Sequence, residues 1–280
     1  MDKKPSNIRT IIAYIVLILL TFLCLFFFYI LIINCTRSHQ QIQSGFSFLP
    51  GKSFAQNFNN VIHDAKLPVL SGIKNSLIVS SCSAILATYF SALTAYGLYA
   101  YNFKLKKPAF IFIMLILVMP TQVSAMGFIN IITKMGMINT LYPLILPSIA
   151  APAVFYFMYS YMQSSLPLEL IEAARIDGCN EFKTFNRIVI PIMKPALAVQ
   201  AIFAFVQSWN NFFIPALVLQ ENSKRTLPIL IAMLRSADFL KFDMGKVYML
   251  ITVAIVPIII VYIALSRYIV AGVALGGVKE

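Results

Sequence analysis

The stretch ELIEAARIDGCNEFKTFNRIVIPIMKP, residues 169–195, lies between two long apolar blocks and differs from both in its density of charge. Pro167 comes just before it, in a position that suits the first turn of a helix. Nothing from Leu168 to Ile176 interrupts a helix, and Gly178 then provides a residue that tolerates the left-handed conformation. The pattern predicts a short helix that ends at a glycine turn.

A second helix is predicted directly after this turn. Asn180 is a residue type that caps helices, and Phe182, Phe185 and Val189 follow at steps of three and four, which places them on one face. Pro191 is expected to close the helix. The whole stretch is therefore interpreted as a helical hairpin that lies outside the bilayer.

The same stretch resembles the EAA loop of binding-protein-dependent ABC importer permeases. More narrowly, it resembles the smaller permease subunit of the maltose and oligosaccharide transporters. The matching residues, at fixed offsets over some two dozen positions, are Glu172, Ala173, Ala174, Asp177, Gly178, Phe185, Ile188, Pro191 and Pro195. Cys179 departs from the family, which usually has alanine there, but both residues are small.

Composition places the chain in a membrane. It is 60% hydrophobic and 11% charged, whereas soluble domains are about 45–50% apolar and about 25% charged. The net charge of +12 comes from basic residues dispersed through the polar loops, which favours membrane topology and lipid headgroups over nucleic acid.

Hydropathy predicts an all-α, polytopic membrane protein with six transmembrane helices and the hairpin, loop 166–195, between spans four and five. Residues 1–70 are interpreted as a tail, the first span and an external segment, and residues 71–280 as the permease core with a tail at 266–280. Pro120 is expected to kink span three. The predicted spans are Ile11–Ile33, Ile73–Ala100, Ala109 to about Ile132, Leu141–Tyr161, Ala196–Leu219 and Val247–Leu265.

The charge bias is too small to orient these spans. Of the 22 Lys and Arg residues, 12 fall on the side of the termini, so the positive-inside rule does not decide. The resemblance implies that the hairpin and both termini are in the cytoplasm, and that the membrane is the bacterial cytoplasmic membrane.

The sequence carries no motif for catalysis or for a metal. No phosphate-binding loop is present, so an enzyme is not expected and any ATP would be hydrolysed by partners. The two histidines and four cysteines have no spacing typical of a metal site or a catalytic group, and no cofactor is predicted. A secondary carrier, the rival hypothesis from another class, usually needs ionisable groups inside its spans, and these spans have almost none.

Uncharged polar residues inside the spans are the candidates for a translocation path. In span five, helical spacing places Gln200, Gln207 and Asn211 close to one line of the helix. Trp209 lies on the opposite side. Amides there would either line a wet cavity for a hydroxyl-rich solute or hold helices together. The candidates are Gln122, Gln200, Gln207, Asn210 and Asn211.

The end of the chain resembles the glycine-rich tail of the maltose-type small subunit. In that family the tail reaches the interface between the ATPase subunits, so the resemblance assigns this place to Gly276, Gly277, Val278 and Lys279.

The resemblance also implies the partners. They are a second, different permease, two copies of an ATPase, an extracytoplasmic solute-binding protein and a carbohydrate substrate, in particular an oligosaccharide. Glu172 would pair with a basic ATPase residue, and the Asp177–Gly178 turn would fix the angle of the hairpin. Polyamines, glycerol phosphate and amino acids remain alternative substrates at this point.

Overall fold

The computed structural model describes residues 7–64, 67–236 and 243–276, and within these ranges the chain is helical and has no strand. This agrees with the predicted all-α class. In chain order the helices are α1 (Asn7–Cys35), α2 (His39–Gln43), α3 (Phe54–Ile62), α4 (Val69–Ala100), α5 (Lys106–Val118), α6 (Thr121–Lys134), α7 (Tyr142–Ile145), α8 (Pro152–Ser165), α9 (Leu168–Ile176), α10 (Glu181–Thr184), α11 (Ile190–Ile192), α12 (Lys194–Trp209), α13 (Phe213–Val218), α14 (Leu227–Arg235) and α15 (Met244–Gly276).

Among the residues that the structure describes, four helical segments are long and apolar enough to cross a membrane, and the number rises to six if each of two bent helix pairs forms one span. The bent pairs are α5 with α6 and Glu181–Ile192 with α12. The protein therefore has several membrane spans, while the count of six remains a prediction. The four segments are Ile8–Cys35, Val69–Ala100, Tyr142–Ser165 and Met244–Ser266.

The predicted third span is broken rather than kinked. Helices α5 and α6 meet at an angle of 100°, and Met119 and Pro120, between them, have extended backbones with ψ of 124° and 127°. Proline lacks an N–H group and also disfavours the helical conformation of the residue before it. Because two consecutive residues leave the helix, the bend far exceeds the predicted mid-span kink.

The fifth predicted span is also interrupted. Helix α12 ends at Trp209, and the short helix α13 begins only at Phe213. Asn210 and Asn211, in the gap, have side chains that compete with the helical backbone for hydrogen bonds, and Pro215 cannot donate a bond back to the gap. The break thus lies at the two asparagines, before Pro215.

Among the described residues, 68–230 and 257–276 form one of two compact units. Helix α4 is its centre, and α8 and α12 pack against it. Much of the packed face of α4 consists of small side chains, which allow close approach between membrane helices. These residues are Ser76, Ser80, Ser83, Ala84, Ala87, Ser91, Ala92 and Ala95. The hydroxyls of Ser83 and Ser91 lie 3.3 Å from the carbonyl oxygens of Leu144 and Ala151.

The other unit contains the described residues from 7 to 67 and from 231 to 256. Its polar centre is the buried Asn57, whose amide donates to the carbonyls of Cys35 and Arg37, each at 2.9 Å. Gly245 approaches so closely that a Cβ there would lie 2.8 Å from the Asn57 oxygen. The ion pair of Lys246 with Asp64 also lies within this unit. The unit thus joins the segment after α1 to the beginning of α15. The beginning of α15 falls within residues 71–280, which were interpreted from the sequence as the permease core.

Candidate coupling hairpin and translocation face

The first hairpin helix, α9, ends as the sequence predicts. Gly178 has φ of +75°, in the left-handed region. Its N–H donates to the carbonyl of Arg175 at 3.1 Å, and the N–H of Cys179 donates to that of Ala174 at 2.9 Å. This pair of bonds is the Schellman motif, which satisfies carbonyls left free at a helix end. The turn is therefore fixed by its own backbone.

The second half of the hairpin begins as predicted but continues differently. The Asn180 side chain accepts the N–H of Lys183 at 2.9 Å, which confirms the cap. Phe185 and Val189 are completely buried, but Phe182 is 68% exposed, so its predicted place on the same face is wrong. Residues Phe185–Val189 form a π-helical turn. Phe182 precedes this turn and lies in the first turn of α10, beside the exposed Gly178, so helical spacing alone does not bury it.

Pro191 does not end this helix, which is a second correction. The helical run continues to Ile192, and the N–H of Met193 still donates to the carbonyl of Val189 at 2.9 Å. The chain then bends by 82° into α12. Proline removes only its own N–H from the ladder, so the last residues of the turn stay helical beyond it.

The surface around the turn is exposed and partly apolar. Ile176 is 86% exposed and Phe182 is 68% exposed, on either side of Gly178, and the acidic residues Glu172 and Asp177 are exposed beside them. We call these four residues the hairpin tip. Large apolar side chains held out by a short rigid turn are typical of a docking surface, and the two carboxylates favour a partner with basic groups. Ala173 is also exposed, whereas Ala174 faces inward.

The base of the hairpin is fastened by a polar cluster that the sequence analysis missed. Arg175 Nε donates to Glu181 Oε1 at 2.8 Å, and the Tyr96 hydroxyl donates to Glu181 Oε2 at 2.6 Å. The Arg175 guanidinium also lies 5.0 Å from the centre of the Tyr101 ring, within range of a cation–π contact. We call Tyr96, Tyr101, Arg175 and Glu181 the tyrosine anchor.

The tyrosine anchor keeps the carboxylate of Glu181 ionised. Partial burial on its own raises the pKa of Glu181, but the hydrogen bonds from Arg175, Tyr96 and Tyr101 outweigh it and lower that pKa from 4.5 to about 2. The carboxylate is therefore ionised at any physiological pH. Tyr96 and Glu181 lie 85 positions apart, so no local pattern could have indicated their contact.

Phe185 is positioned within the chain, although the resemblance assigned it to ATPase coupling. Its ring centre lies 5.6 Å from that of Tyr89 and 5.5 Å from that of Tyr96, both on α4. The Tyr89 hydroxyl lies 3.3 Å from Asn186 Oδ1 beside it. Phe185 therefore packs the hairpin against α4 and presents no surface to a partner.

The candidate path residues fall into two groups. Gln207, Asn210 and Asn211 are exposed near the end of α12, and Gln122 is exposed at the start of α6; Gln200, however, is 8% exposed and lies within the packed unit. Trp209 is 2% exposed and stacks on Phe205, with ring centres 5.6 Å apart. The tryptophan thus packs inward, while the amides at 207 and 211 are accessible.

Comparison with known proteins identifies the family. Residues 84–274 match the family model described as the binding-protein-dependent transport system inner membrane component. This chain belongs to that family.

Relatives match this permease over its full length. It is 34% identical to the arabinooligosaccharides transport system permease protein AraQ of Halalkalibacterium halodurans over 282 residues, which cover 100% of both chains. It is 29% identical to the trehalose/maltose transport system permease protein MalG of Thermococcus litoralis, with 99% of each chain covered. It also matches the lactose transport system permease protein LacG of Rhizobium radiobacter at 29% identity, with 100% of each covered.

A solved structure shares the fold of the permease. A chain in the crystal structure of a bacterial ABC transporter involved in the import of the acidic polysaccharide alginate has a TM-score of 0.79, with 96% of the permease and 99% of that chain covered. The identity is 19%, so this likeness shows the fold alone.

Membership makes the permease a multi-pass membrane component of a transport system that works with a binding protein and an ATPase. Among the described residues, no group of three or more His, Cys, Asp or Glu is placed to hold a metal ion. Of the predicted tail site only Gly276 is described, as the last residue of α15; Gly277, Val278 and Lys279 lie outside the described residues.

Proposed function

We propose that this permease forms one half of the membrane pathway of an ABC importer for an oligosaccharide. The observation that carries the proposal is the 34% identity, along the whole of both chains, to an arabinooligosaccharide permease. Permeases named for trehalose and maltose, lactose, and melibiose, raffinose and stachyose match over nearly their whole lengths as well. Sugars are the substrates these names share.

In the proposed complex a second, different permease completes the pathway, and two copies of an ATPase bind on the cytoplasmic side. The hairpin and both chain termini are in the cytoplasm, and a binding protein delivers the sugar on the opposite side. The hairpin tip would then meet the ATPase, because Ile176 and Phe182 are more exposed than the other large apolar side chains described in this segment. Glu172, on the same surface, would pair with a basic residue of the ATPase.

Transport would follow from movement of the hairpin tip. When ATP closes the ATPase dimer, the tip moves with the ATPase surface that holds it. The Schellman turn keeps α9 and the following helix at a fixed angle, so the displacement is passed on rather than absorbed. It reaches α8 and α12, which continue from the two ends of the hairpin, and alternately opens the pathway to each side.

The exposed amides provide chemistry suited to a neutral sugar. Gln207 and Asn211 each offer a donor and an acceptor, which is what hydroxyl groups require, and neither adds a charge to the membrane interior. Gln122 and Asn210 are exposed and would contribute in the same way. Gln200 is buried between helices, and its contribution would be to hold the wall of the pathway.

The test is uptake in a strain that lacks the permease. Radiolabelled arabino-, malto- and galacto-oligosaccharides would be supplied with the permease restored or absent. Restored uptake of one of them, together with co-purification of an ATPase, is the expected result. Uptake of a polyamine or an amino acid alone would refute the sugar assignment, and uptake without any ATPase would indicate a secondary carrier.

A further inference from the structure

The tyrosine anchor joins three segments that are far apart in the sequence. Tyr96 is buried near the cytoplasmic end of α4, Arg175 lies in the last turn of α9, and Glu181 lies in the first turn of α10. Both carboxylate oxygens of Glu181 are used, one by the arginine and one by the tyrosine. A single carboxylate therefore binds the two arms of the hairpin to each other and to α4.

The geometry of these bonds favours rigidity. Both are short and involve a charged partner, the class of hydrogen bond that is strongest and most directional. The Tyr101 ring faces the arginine from the segment that follows α4. Tyr99 adds a bond from its hydroxyl to the carbonyl of Leu166, at 2.6 Å, just before the hairpin. The cytoplasmic end of α4 thus contacts both the entry and the turn of the hairpin.

Contacts between aromatic rings lie beside the hydrogen bonds of the tyrosine anchor. Phe185 is fully buried against Tyr89 and Tyr96, which lie two helical turns apart on α4. Aromatic pairs are favourable at ring-centre distances of about 4.5–7 Å, so both contacts hold Phe185 against α4. The hairpin is consequently attached to α4 over a length of about 10 Å, from the 1.5 Å rise per residue, and not at one point.

We propose that Tyr96, Arg175 and Glu181 are positioning residues that make the hairpin and α4 move as one body. Movement of the hairpin tip is then carried directly into the second predicted span, although α4 is not connected to the hairpin through the adjacent chain. This rests on the proposed function, in which the ATPase moves the tip. Helices α8 and α12 also pack on α4. Displacement of α4 therefore moves the centre of the unit.

The first experiment measures the attachment itself. In the full chain, purified in its complex after removal of the native cysteines, spin labels at the exposed positions Thr94 and Lys183 report the separation of α4 from the hairpin. We expect one narrow distance distribution that does not change when ATP is added. Tyr96→Phe combined with Glu181→Gln should broaden it. Tyr156→Phe, on the exposed face of α8, is the matched control and should leave it narrow.

Two results would overturn the inference. One is a distance that shifts with ATP in the otherwise unaltered chain, because the two elements would then move separately. The other is a distribution that stays narrow in the double variant. The second result can be read whether or not an ATPase co-purifies, because it needs no ATP, so failure of the inference is distinguishable from failure of the proposed function.

The second experiment measures coupling. Arg175→Glu should lower the amount of sugar transported per ATP hydrolysed by about tenfold or more, as expected for the loss of a charge-assisted bond, while the ATPase remains bound. Arg175→Glu combined with Glu181→Arg restores the ion pair in reverse and should recover part of the loss. Equal loss in the single and double variants would show that the pair does not act through its mutual contact.

Discussion

Gly178 offers the sharpest test of the hairpin as a rigid lever. Its φ of +75° is a conformation that costs a residue with a Cβ about 1–2 kcal/mol. A Cβ built there meets nothing within 4 Å, so the cost of substitution is conformational and not steric. An energy of this size changes the population of the native turn by a factor of about 5–30.

The expected order of activity follows from this cost. Gly178→Val, with a β-branched side chain, should largely abolish uptake while the protein still inserts and binds its partners. Gly178→Ala should show an intermediate loss, and Gly178→Asn should retain most activity because asparagine tolerates the left-handed region. Gly127→Ala is the matched control: Gly127 is helical, its Cβ position is also open, and alanine stabilises a helix by about 0.5–1 kcal/mol.

The assay is sugar uptake by proteoliposomes that contain the complete complex, with ATP hydrolysis measured in parallel. Hydrolysis that continues while uptake stops would locate the defect in coupling. The reasoning would be refuted if Gly178→Val transported at the rate of the unaltered protein. It would also be refuted if the asparagine variant were as inactive as the valine variant, since the left-handed turn would then not be the property that matters.

Three further predictions concern single positions. Glu172→Lys should replace attraction by repulsion at the proposed ATPase surface and abolish uptake without loss of membrane insertion; wild-type uptake with the ATPase present would contradict this. In a background without native cysteines, Gln207→Cys or Asn211→Cys should react with a small water-soluble thiol reagent, and sugar should change the rate of that reaction. Trp209→Cys should not react. The reverse pattern would mean that the other face of α12 lines the path. Because the pKa of Glu181 is lowered to about 2, its contribution to stability is complete above its ordinary pKa and is lost only as pH falls through about 2. The melting difference between the unaltered complex and Glu181→Gln should therefore be constant from about pH 5 to 8, and a difference that changed across that range would contradict the lowered pKa.

The features that the sequence predicted correctly are local ones. The left-handed Gly178 and the cap at Asn180 each depend on a few neighbouring residues. The placement of Trp209 opposite Gln207 follows from helical spacing, because residues two apart on a helix point in nearly opposite directions; Trp209 is 2% exposed and Gln207 is exposed. In each case the deciding physics lies within one or two turns of the chain.

The features that the sequence did not predict depend on residues that are distant in the chain and pack together only in the fold. The bond from Tyr96 to Glu181 requires two elements to meet that are separated by several helices. The exposure of Phe182 depends on what packs beside the hairpin turn, which side-chain periodicity does not reveal. The 100° break at Met119 and Pro120 was predicted in position but not in size, because the angle after a proline is set by what packs on either side.

The small-residue face of α4 also limits how this protein can change over evolutionary time. Ala92 and Ala95 have no exposed surface, so a larger side chain at either position would have to displace its neighbours. Adding even two or three carbon atoms to such a site costs about 1–3 kcal/mol and forces the backbone to shift. Sequence drift at this face should therefore be confined to exchanges among glycine, alanine and serine, while the lipid-facing positions of the same helix vary freely. A lineage that adapts to a new sugar would be expected to alter the rim of its pathway and leave this face untouched.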